Sequence, residues 1–176
     1  MRKKFKGFSL MELVIVIAII GILTAMLVPA WMSYIAKSRI KTQNNNAKVI
    51  FNAAQTAATK RKFQERITNV INVGSGDFYF YWDGSTGYSV GSDTVANPPV
   101  TVGDADFDAE FANEISSVFD NSEGTVYKIW IQNYIVRSVV SARSENDNFI
   151  GAYPTPLTEE EETHSVSDYP SSSIAH

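Results

Sequence analysis

The residues that could do chemistry at the start of this sequence are one carboxylate and a small-residue junction. Between Phe8 and Met32 the sequence has 25 residues, and Glu12 is the only charged one. A carboxylate near the centre of a helix in lipid costs about 2.5–3.5 kcal/mol on insertion scales, so it normally has a function and a partner. An amine would suit it, because each charge then offsets the hydration that the other loses.

The Gly7–Phe8 bond is the place where such an amine could arise. Cleavage after Gly7 would leave an α-amine on Phe8, four residues before Glu12. Because four residues rise only about 6 Å along a helix, a pair within one chain is conceivable.

The apolar segment around Glu12 has the length of a membrane-spanning helix. About 20 helical residues cross the hydrocarbon core of a bilayer. The positive charge of the leader predicts a cytoplasmic N-terminus and a domain on the other side of the membrane. The segment contains the apolar run 13–28 and follows four basic leader residues, Arg2, Lys3, Lys4 and Lys6.

At these residues the sequence resembles the type IV pilin and pseudopilin family. The segment from Lys3 to Glu12 has the family's processing signal, which is a basic leader ending in Gly, then Phe, three residues, Glu and an apolar helix. Pro29 falls where family members commonly have a helix-kinking proline. The resemblance implies that a prepilin peptidase cleaves between Gly7 and Phe8 and methylates the Phe8 amine. It also implies that Glu12 pairs with the Phe8 amine of a neighbouring subunit during assembly.

The resemblance implies a structural subunit, not an enzyme. Its expected partners are further copies of the chain in a helical filament, the prepilin peptidase, and a membrane platform with its assembly ATPase. Before assembly the subunit would lie in the lipid bilayer as a single-pass cytoplasmic membrane protein with its N-terminus inside. After assembly it would belong to an extracellular filament at the cell surface.

Three other interpretations stay open. A pseudopilin of a type II secretion system shares every motif up to Val28. A membrane-anchored sensor or interaction domain explains the apolar segment but neither Glu12 nor the Gly7–Phe8 junction. A secretory signal with a cleavage site at Val28-Pro29-Ala30 would have to include a carboxylate at the start of its apolar core, where such signals rarely have one.

The composition excludes several classes of site. Cysteine is absent, and the two histidines, His164 and His176, lie near the C-terminus. Disulfides, thiolate metal sites and histidine-based catalytic triads in the core are therefore excluded. Many Gram-negative pilins close a C-terminal loop with a disulfide, so the lack of cysteine favours a pseudopilin or a Gram-positive pilin. Nucleic-acid binding is not favoured, because the basic cluster around Lys60 precedes a strongly acidic domain.

The pattern along the chain predicts an α+β fold, with a long N-terminal α-helix packed on a small antiparallel β-sheet and a second short helix. One helical face recurs at Ala47, Ile50, Phe51, Ala54, Ala57 and Ala58. The predicted segments are a leader (1–7), a transmembrane and assembly helix (8–32), its amphipathic continuation (33–70), an extracytoplasmic globular domain (71–156) and an acidic, disordered tail (157–176).

Within the globular domain the pattern predicts three strands and the second helix. The aromatic segment 77–83 favours a strand with one face on the core and the other under a loop, rather than a binding platform. Segments 125–132 and 134–142 alternate as two antiparallel strands, and apolar spacing from Phe107 to Phe119 predicts the helix.

Acidic residues at the start of this second helix raise the question of calcium. Asp104, Asp106 and Asp108 alternate in the way that can ligate Ca²⁺, and some pseudopilins bind calcium in this half of the domain. The run lacks the glycine and distal glutamate of an EF-hand loop. Helix capping and the helix dipole explain the acids without a metal. We therefore favour no cofactor, and keep these three residues as calcium candidates.

The net charge of −4 hides an asymmetry between two parts of the chain. Residues 33–70 have eight basic residues and one acid, whereas residues 71–176 have three basic residues and seventeen acids. One hypothesis is that this basic belt meets the acidic domain, around 104–123, of a stacked subunit. Contact with solvent or with anionic lipid headgroups is the simpler alternative. The basic belt consists of Lys37, Arg39, Lys41, Lys48, Lys60, Arg61, Lys62 and Arg66.

Overall fold

The computed structural model describes residues 8–68, 77–96, 98, 100–103, 105–120 and 124–175. The chain divides into two compact units, Met1–Ala36 and Lys37–His176. The architecture is α+β, as predicted. Its elements are α1 (Leu10–Thr68), β1 (Asp77–Trp82), β2 (Gly87–Val90), α2 (Ala105–Ser116), β3 (Val126–Gln132), β4 (Ile135–Ala142), β5 (Gly151–Tyr153) and a 3₁₀ turn at Ser171–Ser173.

The part of α1 in the second unit packs on the sheet through small side chains. The predicted helical face is confirmed, although Phe51 is only partly buried and lies at the margin of the core. Positions three and four residues apart fall on one side of a helix, so the apolar spacing found this face correctly. Its buried residues are Ala47, Ile50, Ala53, Ala54, Ala57 and Ala58.

The sheet has five strands in the order β2-β1-β3-β4-β5, and every neighbouring pair is antiparallel. The aromatic strand β1 is part of the core, as expected. Phe80 has no exposed surface, and its ring contacts that of Phe111 on α2 edge to face, with centroids 4.9 Å apart. Tyr81 points to the opposite face, where it belongs to a second apolar cluster.

The hairpin between β3 and β4 turns through Asn133 and Tyr134, whose φ angles are 51° and 66°. Two consecutive positive φ angles define the tight turn whose twist matches antiparallel strands. The three-residue strand β5 was not predicted, because a strand this short has too few residues to show alternation. It exists through its pairing with β4, which joins Val140 to Ala152.

Side-chain amides of α1 fix the helix to the sheet. Asn44 Oδ1 accepts the Ala152 N–H at 2.8 Å and the Leu157 N–H at 3.1 Å, and its Nδ2 donates to the Leu157 carbonyl at 2.7 Å. Gln55 Oε1 accepts the Val136 N–H at 2.9 Å. Asparagine side chains in the middle of a helix usually compete with its backbone for hydrogen bonds. Asn44 instead satisfies backbone groups of another element.

Gly151 allows β5 to approach α1 closely. A Cβ atom at this position would lie 2.0 Å from the Gln43 carbonyl carbon and 2.2 Å from the Asn44 nitrogen. Backbone atoms of a helix cannot move aside by that amount, so only glycine fits here.

The C-terminal segment corrects the prediction of a disordered tail at 157–176. Val166, Tyr169 and Ile174 are buried, with 0%, 6% and 3% of their surface exposed. They cover the face of the sheet opposite α1, where they belong to one apolar cluster with Tyr81 of β1 and Val140 of β4. The composition-based prediction was wrong because three well-spaced apolar residues are enough to hold an otherwise polar segment on an apolar face.

A fully buried lysine on β3 holds this segment in place. Lys128 Nζ donates to the Asp93 carbonyl at 2.6 Å, to the Ser167 carbonyl at 3.3 Å and to the Tyr169 carbonyl. Its Nζ also lies 3.2 Å from the Asp93 carboxylate, which accepts the Ser171 N–H at 3.1 Å. Burial lowers the pKa of Lys128 below its usual value, and the charge of Asp93 opposes that shift. Lys128 therefore joins β3, the loop after β2 and the C-terminal segment.

We predict that Lys128→Met lowers the free energy of unfolding of the full chain by about 3 kcal/mol or more. The substitution removes the donor of three carbonyl oxygens and leaves the partly exposed Asp93 carboxylate without its cation. Chemical denaturation in micelles, followed by tryptophan fluorescence, measures the loss, and limited proteolysis should release the C-terminal segment. Lys62→Met, at an exposed position of α1, is the control. A Lys128→Met chain with wild-type stability and protease resistance would contradict this role.

Candidate processing and assembly segment

The first turn of α1 is closed by Ser9 and Glu12. The Ser9 N–H donates to Glu12 Oε2 at 3.0 Å, and the Met11 N–H donates to Ser9 Oγ at 3.3 Å. The side chains thus satisfy backbone donors at the helix start in the reciprocal arrangement of a capping box. Glu12 therefore has a partner within its own chain. The spacing Ser-x-x-Glu before an apolar run is the sequence signal for a capping box. The prediction for Glu12, which rested on its charge alone, missed this signal.

The side chains that follow Glu12 are exposed in the structure. One helix, spanning Leu10–Gln64 in the described residues, is long and apolar enough to cross a membrane, and none of its most apolar 18-residue window is buried. Exposed apolar surface of this extent marks a site of contact with lipid or with other protein chains. The length and exposure of the segment are what a lipid-spanning helix requires.

The other residues predicted for processing and assembly lie around this segment. Phe8 precedes the helix with 84% of its surface exposed. Gly7 lies outside the described residues. Pro29 is inside α1, which continues helical to Thr68. The helix is thus not interrupted at Pro29, although proline removes one helix hydrogen bond there.

The structure does not bring the three calcium candidates together as a described metal site. Asp108 is buried, and its carboxylate accepts the Ser89 N–H at 3.2 Å and the Ser89 hydroxyl, which joins α2 to β2. Asp106 lies in the first turn of α2, and Asp104 lies outside the described residues. No group of three or more metal-binding side chains occurs in the part of the chain that the structure describes. The bonds to Ser89 explain Asp108 without a metal, and the absence of a cofactor stays a prediction, with these residues as calcium candidates.

Part of the basic belt is used inside the chain. Lys60 pairs with Glu114, and Arg61 Nη1 lies 2.9 Å from Glu110 Oε2, so both link α1 to α2. For Lys60 and Arg61, acidic partners within the same chain are an alternative to the hypothesis of contacts between subunits. These exposed pairs each contribute little, about 0–1 kcal/mol. For the other members of the belt the hypothesis stays a prediction.

Comparisons with known proteins agree with this N-terminal segment. Residues 2–28 match the family described as the prokaryotic N-terminal methylation motif. The chain is 55% identical over 42 residues to the fimbrial protein EcpC of Eikenella corrodens, covering 24% of this chain and 28% of that protein. It is 38% identical over 60 residues to a fimbrial protein of Pseudomonas aeruginosa, covering 34% of this chain and 39% of that protein.

A third relative is the type IV major fimbrial protein FimA of Dichelobacter nodosus. The chain is 52% identical to it over 40 residues, which cover 23% of this chain and 26% of that protein. In all three comparisons the chain spans less than two fifths of the relative's length. No solved structure matches the chain.

The structure and these matches define a class of protein: a subunit with an apolar N-terminal α-helix and an α+β domain built on an antiparallel sheet. Through its N-terminal segment the chain is similar to type IV fimbrial proteins, because residues 2–28 have the prokaryotic N-terminal methylation motif.

We predict that the cap depends on the acceptor oxygen of residue 12 rather than on its charge. Glu12→Ala should speed amide hydrogen exchange at Ser9 about fivefold, since a helix cap contributes about 1 kcal/mol. Glu12→Gln should keep the slow exchange, because glutamine also completes a capping box. NMR of the full chain in micelles measures both, with Ser33→Ala as the control within α1. Equally fast exchange in the Gln and Ala variants would refute this role.

Proposed function

We propose that this chain is a structural pilin subunit of a type IV pilus-like filament, processed by a prepilin peptidase and assembled through its N-terminal helix. The observation that carries the proposal is the apolar segment of α1, which has no buried residue in its most apolar window and one carboxylate in its first turn. Apolar surface leaves water for lipid or for other apolar surface. Lipid covers the helix before assembly, and the helices of neighbouring subunits cover it in the filament.

Glu12 supplies the specificity of assembly in this proposal. After cleavage at the Gly7–Phe8 bond the Phe8 nitrogen becomes a charged amine, whereas the Ser9 N–H that Glu12 accepts stays in place. The carboxylate can then accept the amine of a neighbouring subunit as well, because an ionised carboxylate accepts more than one hydrogen bond. In an apolar bundle this pair fixes the axial position of one helix against the next.

The first alternative is a pseudopilin of a type II secretion system. It would use the same processing signal and the same helix, so the arguments from α1 support it equally. The second alternative is a membrane-anchored sensor or interaction domain. The match of residues 2–28 to the methylation motif favours processing over a permanent anchor.

The proposal predicts that the mature chain begins at N-methylated Phe8. The leader holds four basic residues, so its removal takes the net charge from −4 to about −8. Mass spectrometry of the chain purified from cells that contain a prepilin peptidase reads the N-terminus directly. An intact leader would favour the anchored domain, and a mature end at Trp31 would favour a secretory signal.

We also predict that both Glu12→Ala and Glu12→Gln block filament assembly while leaving the subunit processed and in the membrane. Loss of the carboxylate eases insertion by about 2.5–3.5 kcal/mol. In the filament it leaves the Phe8 amine buried without a counter-charge, at a cost of about 3–5 kcal/mol. Counting surface filaments by electron microscopy, beside immunoblots of membrane fractions, separates the two effects.

The glutamine variant makes this test specific. It keeps the cap at Ser9 and removes only the charge, so filaments in normal number from Glu12→Gln cells would show that capping, not charge pairing, is the role of this residue. Filaments in both variants would remove the case for assembly through Glu12.

A further inference from the structure

Two arginines from distant parts of the chain meet at one cleft of the second unit. Arg39 comes from α1, and Arg143 follows the end of β4. The cleft has a volume of about 220 Å³. Its lining residues are Ser38, Arg39, Thr42, Gln43, Arg143, Asp147 and Phe149. The lining thus offers two guanidinium groups, two hydroxyls and an amide, which are groups that bind a phosphate.

The arginines are available for a ligand, unlike Lys60 and Arg61. The Arg39 guanidinium carbon lies 5.0 Å from the centroid of the Phe149 ring, which orients its planar group. Within the described residues Arg143 forms no hydrogen bond or ion pair. The one acid of the lining is Asp147, whose Oδ1 already accepts the Phe149 N–H at 3.0 Å. The lining therefore keeps an excess of positive charge.

The sequence position of the cleft points to a lipid surface. Trp31 and Tyr34, near the end of the apolar segment, have 68% and 74% of their surface exposed. Tryptophan and tyrosine collect at the level of the lipid headgroups, where one end of the ring is apolar and the other is wet. Ser38, the first lining residue, follows Tyr34 by four residues of the same helix.

We propose that this cleft binds the phosphate of an anionic phospholipid headgroup while the subunit lies in the membrane. The inference rests on the membrane-resident stage of the proposed function. An acidic side chain of a second copy is the competing ligand. Lipid is favoured because headgroup phosphates surround this level of the helix at high local concentration, whereas a second copy must first be positioned.

The test uses the full chain in nanodiscs that contain equal amounts of phosphatidylglycerol and phosphatidylcholine. Native mass spectrometry counts the lipids that stay bound after release into detergent. The wild-type chain should retain phosphatidylglycerol in preference to phosphatidylcholine. Arg39→Gln and Arg143→Gln should each reduce that preference about fivefold, the equivalent of about 1 kcal/mol for each basic residue near a lipid surface.

Arg137→Gln is the matched control, because Arg137 lies on β4 outside the cleft and donates to Gln132 Oε1 at 3.0 Å. It should leave the preference unchanged. Adding inorganic phosphate at millimolar concentration should not displace the lipid, and displacement would mean that the cleft takes free phosphate instead. Equal lipid preference in wild type and both cleft variants would overturn the proposal.

Two further outcomes keep this inference apart from the proposed function. A chain that fails to enter nanodiscs contradicts membrane residence and so the proposed function itself. A chain that enters them without lipid preference, but dimerises only when Arg39 and Arg143 are intact, shows that the cleft binds a second copy. That result would overturn the lipid assignment alone.

Discussion

The hydrophobic effect acts on the two units of this chain in different ways, and the rest of the structure depends on that difference. In the second unit, apolar side chains of α1, α2 and the sheet cover one another. In the first unit the apolar window of α1 has no buried residue at all. Its cover must come from outside the chain, from lipid or from other helices. A single carboxylate on such a helix therefore loses its hydration when the helix is covered, whereas on a water-exposed surface it would keep it.

In the second unit, polar side chains fix the register of α1 against the sheet, which its small apolar residues do not define. The alanines of α1 at the sheet have too little shape to define one register of the helix against the strands. Asn44 and Gln55 supply that definition, because each bonds to backbone groups at a particular position. Lys128 acts in the same way on the opposite face of the sheet, for the C-terminal segment.

The sequence predicted those features whose pattern lies within one element, and it did not predict contacts between residues that are far apart in the chain. Helical spacing identified the buried face of α1, and alternation identified β3 and β4, because each pattern lies within one element. The same alternation gives no sign that Lys128 is buried, since the segment that covers it lies about 40 residues further along the chain. Val166, Tyr169 and Ile174 are separated by polar residues, so their shared role emerges only once the sheet offers them an apolar face.

The N-terminal segment shows the same division. Glu12 stands out in the sequence because charge is rare among apolar residues, and its local partner Ser9 is only three residues away. The periodicity of a single chain gives no information about a neighbouring subunit, such as the one that would meet Glu12 in a filament. The motif alone points to it.

The bond from Ser9 to Glu12 has a consequence for how a subunit could move between membrane and filament. A carboxylate that is already bonded in the isolated helix does not wait in lipid as an unsatisfied charge. Under the proposed function, joining a filament would add a charged partner to this bond, and leaving the filament would remove only that added partner. The free energy that separates the membrane-resident subunit from the assembled one would then be smaller than the strength of the buried pair alone suggests. A subunit that returned to the membrane would still have a hydrogen-bonded carboxylate.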